Sequence, residues 1–161
     1  MFRLHRTLKA SPAGLLTSSL FDEKTFYDKF ARDLARCRNE LIIESPFITT
    51  RRLNSLLPTL ERLIGRGVQI TINTKDPSEN GDIQLAWQAH RAINRLSDIG
   101  VRVLYTSGHH RKLAILDRAV LWEGSLNILS QNDSCEIMRR VESVELAEQM
   151  ICFVRLNNFL R

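Results

Sequence analysis

The residues best suited to chemistry cluster between Gly108 and Asn127. His110 and Lys112 stand two apart, and Asp117 follows after the apolar run Leu113-Ala114-Ile115-Leu116. Seven positions beyond the aspartate begins Gly124-Ser125-Leu126-Asn127. Attack on a phosphodiester needs a nucleophile, stabilisation of charge on the non-bridging oxygens, and an acid for the leaving alkoxide. An imidazole can serve as the nucleophile or as the acid. A neighbouring ammonium, a hydroxyl and a carboxamide can hold the phosphoryl oxygens without a metal. If His110 and Lys112 open a strand, both side chains project to the same side, and the apolar run anchors that strand in the core. Ser125 and Asn127 share a face if their segment is extended. Asp117, at the strand end, is better placed to anchor structure than to react.

Other polar residues carry weaker patterns. His109 fits no such spacing, because Arg111 rather than a lysine stands two positions on; it reads as a flanking group able to touch substrate. Arg51 and Arg52 follow a strand end, where α/β folds place their sites, and could grip a phosphate backbone; solvated arginines at a helix start fit equally. Arg111, Arg139 and Arg140 are open to the same two readings. Trp87 and Trp122 suit a core or an interface better than a base-stacking platform. His5 and His90 carry no pattern. Glu142, Glu145 and Glu148 read as a solvated helical face, no His/Asp/Glu set has metal-ligand spacing, and no cofactor is implied.

The elements that must position these groups are legible as periodicity. Asp22 reads as an N-cap before a helix carrying Phe26, Phe30, Leu34 and Cys37. Leu41 to Phe47 is a buried strand stopped at Pro46. A second helix carries Leu53, Leu56, Leu57, Leu60, Leu63 and Ile64, ending near Gly65 and Gly67. Val68 to Ile72 alternates as a strand, and 76–81 is dense in turn formers. A third helix carries Leu85, Ala89, Ile93 and Leu96, closed by Gly100, and Val101 to Tyr105 is the next strand. Lys112 to Asp117 and Val120 to Trp122 form a hairpin turning at Arg118-Ala119. Glu136 to Val141 is a further strand, and a helix runs from Val144 to Leu160. The fold class is α/β: a mixed, mostly parallel sheet flanked by helices.

The bulk numbers bound the answer. At 161 residues, 43% hydrophobic and 25% charged, the chain suits one domain with its own core. Residues 1–21 read as a basic N-terminal arm and 22–161 as the domain. A formal charge of +5 favours polyanions, nucleic acid or an acidic lipid surface. Cys37, Cys135 and Cys152 lack paired spacing, which points to a reducing compartment. No apolar stretch is long enough to span a bilayer, the first residues make a poor signal peptide, and a cytoplasmic location is expected.

His110-Arg111-Lys112 to Asp117, followed by Gly124-Ser125-Leu126-Asn127, resembles the phospholipase D superfamily, whose HxKxxxxD and GSxN motifs are both intact. The strand ending in Ser45-Pro46-Phe47 and the βα alternation extend the resemblance over roughly residues 22–160. It implies that His110 forms a covalent phosphohistidine, and that Glu136, nine residues past Asn127, orients it. The single motif implies a homodimer sharing one site, since a two-fold axis supplies the second histidine. A nuclease acting on DNA or RNA is the first expectation. The alternatives are a phospholipid hydrolase or transferase, and a nucleic-acid-binding module of a larger helicase or restriction system.

Overall fold

In a computed structural model, which describes residues 18–130 and 134–156, seven strands form one mixed sheet with helices on both faces. Strand β1 (Ser18–Asp22) leads into α1 (Phe26–Arg36), then β2 (Glu40–Glu44), α2 (Thr50–Gly65) and β3 (Gln69–Thr74). A short 3-10 turn (Pro77–Glu79) precedes α3 (Ile83–Asp98) and β4 (Arg102–Tyr105). The second half is the hairpin β5 (Leu113–Leu116) and β6 (Val120–Gly124), then β7 (Ile137–Glu142) and α4 (Val144–Phe153). Strand order is β1-β7-β6-β5-β2-β3-β4.

The α/β sheet is mixed as expected, but its balance differs. Only β2–β3 and β3–β4 are parallel; β2–β5, β5–β6, β6–β7 and β7–β1 are antiparallel. The crossover helices α2 and α3 impose the parallel pairs, whereas the tight turn between β5 and β6 permits only antiparallel return. Strand β1 was not anticipated. It pairs along β7 from Ser18↔Val141 to Asp22↔Ile137, so a domain boundary at Asp22 cuts through a strand. The Asp22 carboxylate accepts from the amides of Lys24 and Thr25, and the N-cap position is Thr25. The last helix ends at Phe153 rather than Leu160; the rest of that expectation, with His5 and the arm before Ser18, lies outside the described residues.

Alternation along the strands divides the core. Leu41, Ile43, Ala114 and Leu116 join the large cluster with Phe26, Phe30, Leu34, Leu53, Leu60 and Leu96 beneath α1, α2 and α3. Ile42, Leu113, Ile115 and Leu121 face the other way, against Ala147 and Ile151 of α4. Trp122 is fully buried in the first cluster, with its indole N–H donated to Asp33. Trp87 is 65% exposed and belongs to neither cluster, because it points away from the core-facing row Ala89, Ala92, Ile93 and Leu96 of α3.

Candidate active site

The β5–β6 turn shows what Asp117 does. Asp117 and Arg118 have φ of 50° and 52°, in a three-residue turn closed by the Ala119 amide donating to the Leu116 carbonyl, a left-handed backbone that aspartate tolerates. The Asp117 carboxylate accepts from the amides of Arg38, Asn39 and Glu40 at 2.9, 2.7 and 3.0 Å. Burial opposes its charge, but those amides outweigh it and hold the carboxyl below the ordinary aspartate range. Asp117 therefore ties the hairpin to the start of β2, at the opposite end of β5 from His110 and Lys112.

At the other end of β5, His109 is buried, His110 and Arg111 are exposed and Lys112 is half-buried. His109 is 2% exposed; its Nδ1 accepts from the Arg111 amide at 3.1 Å, and its Nε2 lies 3.1 Å from the Asn73 carbonyl. An amide must donate, so Nδ1 is the acceptor, and the ring is neutral with its proton on Nε2. Burial, the dominant effect, pushes the His109 pKa below its ordinary value, in keeping with that tautomer. Arg111 grips Glu44 with two nitrogens, Nε to Oε2 and Nη2 to Oε1. Glu44 is fully buried at the end of β2 and also accepts from Asn73 Nδ2 at 2.8 Å. His109 is thus sealed from solvent, and Arg111 is held by a buried carboxylate while its own side chain stays 40% exposed.

His110, by contrast, is exposed. Among the described residues its ring has no hydrogen-bond partner; its contact is with the edge of Phe47, centroids 6.3 Å apart. Lys112 donates to the His110 carbonyl at 2.8 Å, and both precede β5 rather than opening it. Arg111, Lys112 and Ser125 line one hollow, of about 590 Å³, with Leu20, Ile137 and Phe153. Glu136 sits at its edge. Hydrogen bonds from Ser125 and then Ser134 hold its carboxyl below the usual glutamate range, with a smaller contribution from the Lys112 charge. The Ser125 hydroxyl also accepts from the Ile137 amide at 3.1 Å. Lys112, Ser125 and Glu136 are thus brought together, but Glu136 meets the two serines rather than His110.

Asn127 lies apart from them. Strand β6 ends at Gly124, so Ser125 and Asn127 do not share an extended face, and Asn127 lines a second hollow with Phe47 and Leu85. Its Oδ1 is buried without a hydrogen-bond partner. Gly124 has a steric cause: a Cβ there would meet the Ile137 carbonyl oxygen at 2.0 Å and the Met138 Cα at 2.9 Å. Of the arginines, Arg52 lies 3.7 Å over the Tyr27 ring, while Arg51 is exposed at the start of α2. Arg140 is bound to buried Asp33 and to Glu142. Glu148 pairs with Arg118. Sequence reasoning missed Glu44 and Asn73; the available signal was a lone charge closing the apolar run Leu41-Ile42-Ile43. Among the described residues, no three His, Cys, Asp or Glu side chains converge as metal ligands would, and no helix is long and apolar enough to cross a membrane.

The model of the family described as cardiolipin synthase, phospholipase D-like domain, matches residues 30–155. The chain belongs to the phospholipase D superfamily. Among solved structures this phospholipase D-like fold is similar to Nuc of Salmonella typhimurium, a phospholipase D family member, with TM-score 0.66 and 16% identity over 83% of this chain and 90% of that one. NucT of Helicobacter pylori gives 0.68 and 17%, over 86% of this chain and 92% of that one. Phosphatidylserine synthase of Haemophilus influenzae gives 0.61 and 12%, over 89% of this chain but 38% of that one. Among curated protein sequences none matches.

Proposed function

We propose that this chain is a metal-independent phosphodiesterase, an endonuclease cleaving DNA or RNA through a phosphohistidine at a site shared by two copies. The observation that carries it is an exposed, unengaged His110 on a segment whose neighbours are immobilised, beside the Lys112 ammonium. In the proposed reaction an imidazole nitrogen of His110 attacks phosphorus, forming a P–N bond as the P–O bond to the leaving alkoxide breaks. The second copy's His110, as imidazolium, gives its proton to that alkoxide. Water then attacks the phosphohistidine, loses its proton to the second imidazole, and releases His110. Lys112 and the Asn127 amide donate to the phosphoryl oxygens, supplying the charge stabilisation for which other phosphodiesterases recruit a metal. Glu136 acts through Ser125 to fix the wall of the site. Arg51 and Arg52 are assigned to the flanking phosphates.

The shared site is supported by an uncovered apolar face. Leu20 is 64% exposed, Ile137 61% and Phe153 83%, and all three line the hollow that also touches Lys112 and Ser125. A contiguous apolar patch at such a place marks an interaction surface, and a two-fold axis there brings identical residues together. Nuclease action draws support from Nuc and NucT, which match over nearly their whole length, and from the +5 charge. The same apolar face favours a phospholipid substrate as the second reading if the chain does not dimerise.

The test is incubation with labelled single-stranded DNA, RNA and phospholipid vesicles in excess chelator, with sedimentation of wild type and Phe153→Asp. Cleavage of nucleic acid is expected to survive the chelator, with an acid-labile phosphoprotein trapped on His110. Loss of cleavage in chelator would sink the metal-free mechanism, and full activity from a monomer would remove the shared site. Turnover of lipid alone would transfer the assignment to the second reading.

A further inference from the structure

A third hollow, of about 390 Å³, opens at the carboxyl ends of β3 and β4, against the residues that follow α4. Its volume lies within the range of ~300–1,000 Å³ usual for ligand sites. Leu104 and Val154 make its apolar wall, and Arg111, Arg155 and Tyr105 supply its donors; the Thr106 hydroxyl is spent on Asn73. Burial, then the Asp76 charge, raises the Tyr105 pKa above the ordinary phenol value, so the hydroxyl keeps its proton. Among the described residues, no carboxylate lines the hollow. Arg111 is only partly committed elsewhere. Its Nε and Nη2 hold Glu44, while the side chain stays 40% exposed and Nη1 has no partner among the described residues. The buried carboxylate fixes the plane of the guanidinium and leaves donors over.

Arg155 carries the uncompensated charge. It is exposed and without a partner among the described residues, whereas Glu44 and Arg111 neutralise each other. It also stands just past the cap of α4 at φ 60°, a left-handed position that glycine usually fills. The turn sends Leu156 into the core, which glycine would do as well and with less strain, so the turn alone does not explain the arginine. Arg111 and Val154 also line the hollow that holds Lys112 and Ser125, which puts the two hollows one side chain apart. Resting on the phosphodiesterase reading, we infer that the third hollow is a second phosphate site. It takes one backbone phosphate beyond those assigned to Arg51 and Arg52, so that a chain of diesters is selected over an isolated one. A single excess charge matches the monoanion of a diester better than the dianion of a phosphate monoester. Arg111 Nη1 and Arg155 donate to its two non-bridging oxygens, and Leu104 and Val154 face the sugar.

The deciding experiment compares a labelled single-stranded oligonucleotide with the same sequence in which every second linkage is an uncharged methylphosphonate. The bases are then identical and only neighbouring charge is lost. Wild type should prefer the fully charged strand by about tenfold or more in kcat/KM, the scale of a hydrogen bond to a charged group. Arg155→Gly should melt no lower than wild type, because glycine suits that backbone. It should remove about tenfold of the preference and lower the salt slope of log KM by roughly 0.7. Arg155→Glu, which reverses the charge, should remove more. A preference that both variants retain in full, or an equal loss on both strands, would overturn the second site. If no diester is cleaved, the phosphodiesterase reading falls, and the hollow is judged by the binding of the same two strands. Arg155→Gly should then weaken the charged strand about tenfold and the alternating strand less; equal weakening, or none, would remove the site. A dependence on Arg155 seen with anionic phospholipid vesicles and not with the oligonucleotide would overturn the nucleic-acid assignment in favour of a lipid headgroup.

Discussion

His109 and Arg111 are nearly ideal partners for a phosphate by residue type, as are His110 and Lys112, and the four are consecutive. Their surroundings differ completely. The first pair reaches inward to Asn73 and Glu44 at the ends of β3 and β2, although the Arg111 side chain stays 40% exposed in the hollow it shares with Lys112. The second pair has no buried partner: His110 is exposed and Lys112, half-buried, lines that hollow. Charge is thus used twice in one short segment, once against a buried carboxylate and once at an open hollow. A nucleophile on a loose loop would lose much of its advantage, since misplacement by about 1 Å can cost a hundredfold in rate. The buried pair removes that freedom.

Substitutions on the two sides should separate the roles. The largest effect is expected from His110→Ala, which should lower diester cleavage at least about a thousandfold. Its urea midpoint should match wild type; a large fall in stability would show that His110 belongs with the inward pair. Glu44→Ala comes next. It strips a buried partner from Arg111 and Asn73 and should cost roughly 3 kcal/mol in denaturant unfolding, with activity falling as the segment loosens. A variant of native stability would mean that the inward pair holds nothing.

Asp117→Ala should cost about 2 kcal/mol, the scale of hydrogen bonds to a charged acceptor. Because the folded Asp117 pKa lies below its ordinary value, its contribution is complete above about pH 4 and is lost as pH falls through the folded value. The variant should therefore show a shallower acid limb than wild type in pH-dependent melting. The smallest effect belongs to His109→Phe, about 1 kcal/mol for the lost polar contacts. Here the folded pKa is also depressed, so the unfolded state binds the proton first as pH drops. Wild-type stability should begin to decline below about pH 6.5, whereas the decline of the variant should start only at the lower pH where the carboxylates protonate. Identical pH profiles would show that His109 is not held neutral.

Much of this was legible in the residues. The helices were visible because Phe26, Phe30 and Leu34, and the leucines of α2, repeat at helical spacing and are buried for that reason. The hairpin was visible because its turn is local, although the positive φ values fall on Asp117 and Arg118 rather than Arg118 and Ala119. Strand β1 was not, since Ser18-Ser19-Leu20-Phe21-Asp22 is short and largely exposed, and owes its form to pairing with β7. Trp87 misled because an aromatic in a helical pattern ordinarily faces the core. In the candidate site, the motif spacing marked His110, Lys112, Ser125 and Asn127, but that Ser125 and Asn127 line different hollows depends on where β6 stops.

By itself the sequence determined the reactive types and their spacing, the alternation that separates inward from outward residues, and the anchoring role of Asp117. It left open which of these residues reach inward to a buried partner. Only the tertiary structure decided that, because the partners that fix it are remote: Glu44 stands 67 positions from Arg111, and Asn73 stands 36 from His109. Spacing along a chain records which side chains share a side of a strand. Which side is buried depends on what the rest of the fold packs against it.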